Sequence, residues 1–320
     1  MKIIMRKRSL SLIIILYILF NAAHLNNINY DSSVQNVFGH NFAPNSNALF
    51  MASLDQFQTE SNLVNTNLVN NNLSLAQDHA DKAVSIFTWD LLVKITDRDK
   101  KIRDDLKIAV ENLHNLTSSY SDTPSWVQVE KQKLELSNQL TASIDTNVDK
   151  IIAITETQKK SVDSNYLNQV VTSISNIFSP KEDKSNESIQ PMRIAELLDS
   201  VLRNYGYAYG VDFDMTDMSN MAMMHADNKT SENNSLINMG DYQSAQGLAA
   251  KSLEVFDKYL YHMMSNYETS DYRNNLESGL IQLNSSIKDK ASPMDIMMIV
   301  HSQIHPNLIG AFDIKLLSST

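Results

Sequence analysis

Glycine and proline are scarce in this chain, 7 and 6 among 320 residues, well below ordinary usage. Sheets need a turn every few residues, and turns draw on glycine for positive φ and on proline for a preset φ. A chain this poor in both cannot be built mainly from strands. It is expected to be all-α, with long helices, short polar connections and an arrangement of antiparallel helical hairpins in a bundle.

The hydrophobic pattern supports that expectation. Helical periodicity begins near Asn47, and Ala76, Ala80, Ala83 and Phe87 recur at three- and four-residue steps. Leu91, Ile95 and Ile102 continue the pattern, and Leu106, Val110 and Leu113 form a further stripe. Thr123-Pro124 reads as an N-cap with proline at the first helical position. It opens a long helix toward Phe178, with Leu134, Leu140, Ile144, Val148, Ile151 and Ile152 facing inward. The segment 179–191, SPKEDKSNESIQP, is polar and carries Pro180 and Pro191, so it reads as a linker. The expected organisation is an Asn/Ser-rich linker at 24–46, a helical unit at 47–178, the linker at 179–191 and a second helical unit at 192–320.

The two units read as related. Laying residues 71–87 over 240–256 pairs Ala76/Ala245, Gln77/Gln246, Ala80/Ala249, Lys82/Lys251 and Phe87/Phe256. After one residue of slippage, Arg103/Arg273, Leu106/Leu276, Val110/Leu280 and Leu113/Leu283 also match, and Thr123-Pro124 meets Ser292-Pro293 at the original offset. Ala76, Ala80 and Ala83, like Ala245, Ala249 and Ala250, are small residues on one stripe, where a neighbouring helix can approach closely. Such hairpins resemble tetratricopeptide-type repeats, although no 34-residue period recurs. The segment GDYQSAQGLAAKSLEVFDKY also resembles the helical extracytoplasmic segments of oxidase-dependent iron permeases and secreted archaeal helical proteins. That resemblance implies an all-helical module outside the cytoplasm. The acidic motifs that would carry a metal site across from the permease family are missing here.

Residues 1–23 point to the same compartment. Lys2, Arg6, Lys7 and Arg8 precede an apolar run from Leu10 to Phe20, and Ala22 and Ala23 follow. A basic start, a short apolar core and a small-residue end make a secretory signal, and the run is shorter than the roughly 20 apolar residues of a membrane span. Cleavage after Ala23 and retention as an N-terminal anchor are both open. In either case the rest of the chain works outside the cytoplasm, secreted or at the envelope. Without residues 1–23, 23 Lys and Arg face 37 Asp and Glu, moving the net charge from −10 to −14. Nucleic-acid binding, which needs clustered cations, is excluded as an expectation. Cysteine is absent, so neither a disulfide nor a thiolate site is available.

Methionine supplies the one chemical oddity. Of 15 methionines, 12 follow residue 190, and Met215, Met218, Met221, Met223 and Met224 run directly into His225. Thioethers are soft ligands that select Cu(I), and imidazole binds copper as well. A second cluster lies on the last strong helix, capped by Ser292-Pro293-x-Asp295. At ~100° per residue, Met294, Met298, His301 and His305 share one face, with Met297 at its flank. His301-x-x-x-His305 can place two imidazoles on one ion, but HSQIH lacks the glutamate of a hydrolytic site. Pro306 suggests that His305 lies near a helix end, where its ring would meet the C-terminal dipole. The alternative for all ten residues is filling of core gaps by flexible side chains.

Other candidates are weaker. Glu111-x-x-His114 is a single motif where a di-iron bundle needs two. Asp212, Asp214 and Asp217 lack the glycine and glutamate of a calcium loop. His79, between Asp78 and Asp81, is expected on a solvated face. No nucleophile elbow, phosphate loop or dinucleotide fingerprint occurs, so no enzymatic activity and no organic cofactor are expected. The expected role is an exported, non-enzymatic binding or accessory module beside an envelope or membrane protein. The alternative is extracytoplasmic copper binding, or other metal handling, through the Met/His clusters.

Overall fold

The computed structural model describes residues 46–118, 126–165, 189–211, 235–264 and 269–314, and among them every regular element is helical. The signal or anchor at 1–23, nearly all of the 24–46 linker and residues 179–188 lie outside the described residues. Among the described residues no helix is long and apolar enough to cross a membrane.

Five helices form the first bundle: α1 (Ser46–Val69), α2 (Leu73–Ile86), α3 (Trp89–Thr96), α4 (Lys100–Ser118) and α5 (Trp126–Asn165). Asn71, at φ 59°, turns the chain between α1 and α2, a left-handed conformation that asparagine tolerates better than most residues. Ala76, Ala80 and Ala83 are buried as expected and let α2 lie close on α1, where Phe57 and Phe87 meet with ring centroids 4.9 Å apart. The stripe through Leu91 and Ile102 is not one helix. Thr88 accepts a hydrogen bond from the Leu91 N–H, and Asp99 from the Ile102 N–H, so each caps a new start. On α5, Ile144, Val148, Ile151 and Ile152 are buried, with Leu134 and Leu140 packed against the core. Burying each such aliphatic chain contributes about 1.5–3 kcal/mol. Helix α1 packs on α2 and α5, and α4 packs on the same two.

The second bundle has the same order of neighbours. Helix α6 (Ile189–Ala208) starts inside the segment expected as linker, with Pro191 in its first turn, where a missing N–H is harmless. Helix α7 (Met239–Val255) runs through a π turn, Phe256–Leu260, into Tyr261–Met263; then comes α8 (Ser270–Lys288). The last helical stretch is α9 (Pro293–Met298), a π turn at Ile299–Ile304, and α10 (His305–Phe312). Helix α6 packs on α7 and on the α9–α10 stretch, and α8 packs on the same two. Tyr205 donates to the Ala291 carbonyl at 2.6 Å and Tyr242 to the Ile287 carbonyl at 2.9 Å. These two hydroxyls tie α6 and α7 to the end of α8 and the turn that follows it.

The two bundles meet where α1 and α2 face α6 and α7. Ala250, grouped in sequence with Ala245 and Ala249, is exposed and takes no part. The close approach is made by Gly240, Ser244 and Gly247 on α7 instead. A Cβ on Gly247 would stand 2.5 Å from Thr59 Cγ2 on α1. Alanine in place of a helical glycine ordinarily adds about 1 kcal/mol. Here Gly247→Ala is expected to lower stability by about 1–3 kcal/mol through overpacking. Thr59→Ser removes the opposing methyl and should recover most of that loss, read by urea unfolding of the single and double variants.

Candidate functional site

The C-terminal Met/His face is built on an interrupted helix. Ser292 Oγ accepts from the Asp295 N–H at 3.1 Å, and Pro293 takes the first helical position, as the sequence predicts. The helix does not end at Pro306. A proline there removes one N–H and pushes its ring toward the carbonyl four residues earlier. The π turn just before it relieves the clash: the His305 N–H bonds to the Val300 carbonyl, five residues back. His305 therefore opens α10 rather than closing a helix, and the C-terminal dipole is some two turns further on.

The four residues of this face have different fates. Met294 packs against the core, Met298 is 41% exposed, His301 is half-buried and His305 is 4% exposed. Met297, placed at the flank, is core. The His301 and His305 rings lie 5.2 Å apart between centroids at an interplanar angle of 73°. Among the described residues no group of three His, Asp or Glu side chains converges as a metal site. Met215, Met218, Met221, Met223, Met224 and His225 lie outside the described residues, as do Asp212, Asp214 and Asp217. His262 sets its ring edge-on to Tyr261, beside exposed Met263 and buried Met264. Glu111 pairs with Lys107 and His114 with Asp81, so the two ends of that motif serve different surface contacts.

The most elaborate polar arrangement was not expected. His79, read from sequence as solvated, is fully buried between α1, α2 and α7. Its Nδ1 lies 2.7 Å from Glu60 Oε2 and its Nε2 2.8 Å from Gln243 Oε1. Asn67 fixes the proton positions. Its amide donates to the Leu63 carbonyl at 2.9 Å and also to Gln243 Oε1 at 2.8 Å, so that oxygen is an acceptor. His79 Nε2 then takes the donor's part toward Gln243, while Nδ1 faces Glu60. Beside it, Lys82 donates to Asp241 at 2.6 Å. Burial pulls the Lys82 ammonium pKa down, but the hydrogen bond to Asp241 and the charges of Glu60, Asp241 and Asp78 outweigh it and hold it above the ordinary lysine value. A readable signal for this site existed: residues 76, 79, 80 and 83 share one helical stripe, and His79 interrupts the alanines.

A second buried pair joins α1 to α6. Arg193 donates from Nε to Asp55 Oδ2 at 2.6 Å and from Nη2 to Oδ1 at 2.7 Å, with the Tyr259 ring 5.3 Å from the guanidinium carbon. Three turns of α6 around it carry Glu196, Asp199 and Arg203. Burial, with the Asp199 charge adding and Arg203 opposing, pushes the Glu196 carboxyl up to about 7.

Both buried pairs sit where solutes cannot reach, so their chemistry is structural. Comparison with protein-family models, with curated proteins and with solved structures finds no match to this chain.

Two outcomes follow. His79→Leu leaves the Glu60 carboxyl buried without its partner and is expected to cost about 3–5 kcal/mol. Adding Glu60→Leu should return a large part of it in the same urea titration. For Glu196, the folded-state pKa lies above that of the unfolded chain, so the folded protein holds the proton more tightly. Its contribution is present below about pH 4.5 and is lost as pH rises toward about 7. Glu196→Gln should therefore be near neutral at pH 5 and stabilising by about 1–3 kcal/mol at pH 8.

Proposed function

We propose that this protein is an exported, non-enzymatic helical module that works at the cell envelope as an accessory to a membrane or envelope partner. The observation that carries the reading is the N-terminal pattern of Lys2, Arg6, Lys7 and Arg8 followed by the apolar run Leu10–Phe20 and Ala22-Ala23. The packing is consistent with a scaffold: the buried ionisable groups His79, Glu60, Asp55 and Arg193 pair with one another inside the fold. Trp89, 74% exposed, and Val93 stand one turn apart on α3, a helix added to the outside of the first bundle. The likeness of 240–259 to helical extracytoplasmic segments supports the same compartment.

Common ancestry of the two bundles belongs to this reading. The matched pairs Ala76/Ala245, Ala80/Ala249, Phe87/Phe256, Leu106/Leu276 and Leu113/Leu283 are buried in both partners. They lie on helices with the same order of neighbours, α2 with α7 and α4 with α8.

Export is tested with a C-terminally tagged full chain in its native cell. The protein is expected in the envelope or extracellular fraction, and the variant lacking residues 2–23 in the cytosol with the same circular dichroism spectrum. Recovery of the intact chain from the cytosol overturns the proposal.

A further inference from the structure

We infer that the π turn Ile299–Ile304 builds a metal site in which His301 and His305 bind one Cu(I) ion and Met298 supplies a thioether. A turn closed by five-residue hydrogen bonds carries one more residue than an α turn, which draws residues four apart together along the axis. The spacing that results suits chelation. With metal–nitrogen bonds of about 2.0–2.1 Å, an ion sits about 3.2 Å from each imidazole centre, so two rings at a tetrahedral angle have centres about 5.2 Å apart. The observed separation is 5.2 Å. Two rings on opposite sides of a linear ion would stand about 6.4 Å apart on the same bond lengths, so the ring separation matches a bent arrangement.

Helical side chains lean toward the N-terminus, which puts His305 over the turn of His301 and His301 over that of Met298. Met298 is thus the next donor along the face, and at 41% exposure it is placed to meet an ion arriving from solvent. Donor chemistry then selects the metal. With cysteine absent from the chain, a thioether is the only sulfur ligand available, and thioethers favour Cu(I). The competing account is an edge-to-face ring contact, which also allows this distance and predicts indifference to metal. The site does not depend on export.

The full chain, stripped of metal and held under reductant, is titrated with Cu(I) against a coloured Cu(I) chelator, and separately with Zn(II). Three variants run beside it: His301→Ala, Met298→Leu, and a control with Met215, Met218, Met221, Met223 and Met224 all changed to leucine. Submicromolar Cu(I) affinity is expected. His301→Ala should weaken it more than the ~10–100-fold typical of losing a supporting residue around a metal, with circular dichroism unchanged. Met298→Leu should weaken it less, and the five-leucine control should still show copper-dependent shifts of the His301 and His305 ring resonances. Cu(I) binding weaker than micromolar overturns the site. So does binding that survives His301→Ala or vanishes in the five-leucine control, or tighter binding of Zn(II) than of Cu(I).

Discussion

The two-pronged contact of Arg193 with Asp55 sits where the protein has least freedom, between two helices that are buried on almost every side. Helix α1 contacts α2 and α5 of its own bundle and α6 and α7 of the other; α6 has the corresponding position in the second bundle. Placing two charges there is costly, and it is tolerated because the geometry leaves few donors or acceptors open. Both carboxylate oxygens are taken, Gln190 accepts from the remaining Nη1, and Gln190 in turn donates to Glu156 on α5. A buried pair of this kind adds less to stability than an apolar replacement of equal volume could, and it penalises any arrangement that separates the partners. A slip of α6 along α1 by one turn would strand both charges. The pair therefore fixes the register in which the bundles meet.

The polar cluster around His79 acts on the same boundary from the other end. Glu60 and Asn67 on α1, His79 and Lys82 on α2, and Asp241, Gln243 and Ser244 on α7 form two adjoining sets of hydrogen bonds across three helices. Gly240 and Gly247 bring the α7 backbone close enough for those side chains to reach one another. The approach and the network need each other: bulk at Gly247 would part α7 from the first bundle, and parted helices would leave Asn67 and His79 Nε2 without Gln243 and Lys82 without Asp241.

Much of this fold is legible in the sequence because it is amphipathic. Helices α2, α4 and α8 bury one face, so their alanine and leucine stripes read directly. Helices α1 and α6 were not legible in that way. A helix buried on all sides has no polar face to set against an apolar one, and Asp55, Glu60, Asn67, Arg193 and Asp199 in its core dilute the hydrophobic signal. His79 was misread for a related reason: its flanking aspartates describe the outside of α2, while the residue itself belongs to the alanine stripe. At the candidate site, the spacing of His301 and His305 was legible and the backbone between them was not. Proline at 306 signals a helix end in an α-helix, and only the wider turn before it lets the helix continue to Phe312.

Under the proposed duplication, the first wide turn acquires an origin. The matching of the two units slips by one residue between Phe87/Phe256 and Arg103/Arg273. In that interval the first bundle breaks after Phe87 and restarts as α3 behind the Thr88 cap, whereas the second bundle continues through the π turn Phe256–Leu260. One residue inserted into a helix has two outlets: the helix stops and restarts, or a single turn widens to absorb it while both flanks keep their faces. The second outlet preserves the burial of Phe256 and Leu260 against α6. The same device at Ile299–Ile304 keeps Val300, Ile304 and Leu308 in the core. Widening the turn also leaves an i→i+5 hydrogen bond where the α-ladder would have run, so the side chains bracketing it are set by the bulge rather than by the ordinary helix. His301 and His305 owe their approach to that accommodation, which is how a backbone adjustment made for packing can leave two imidazole rings 5.2 Å apart on one face.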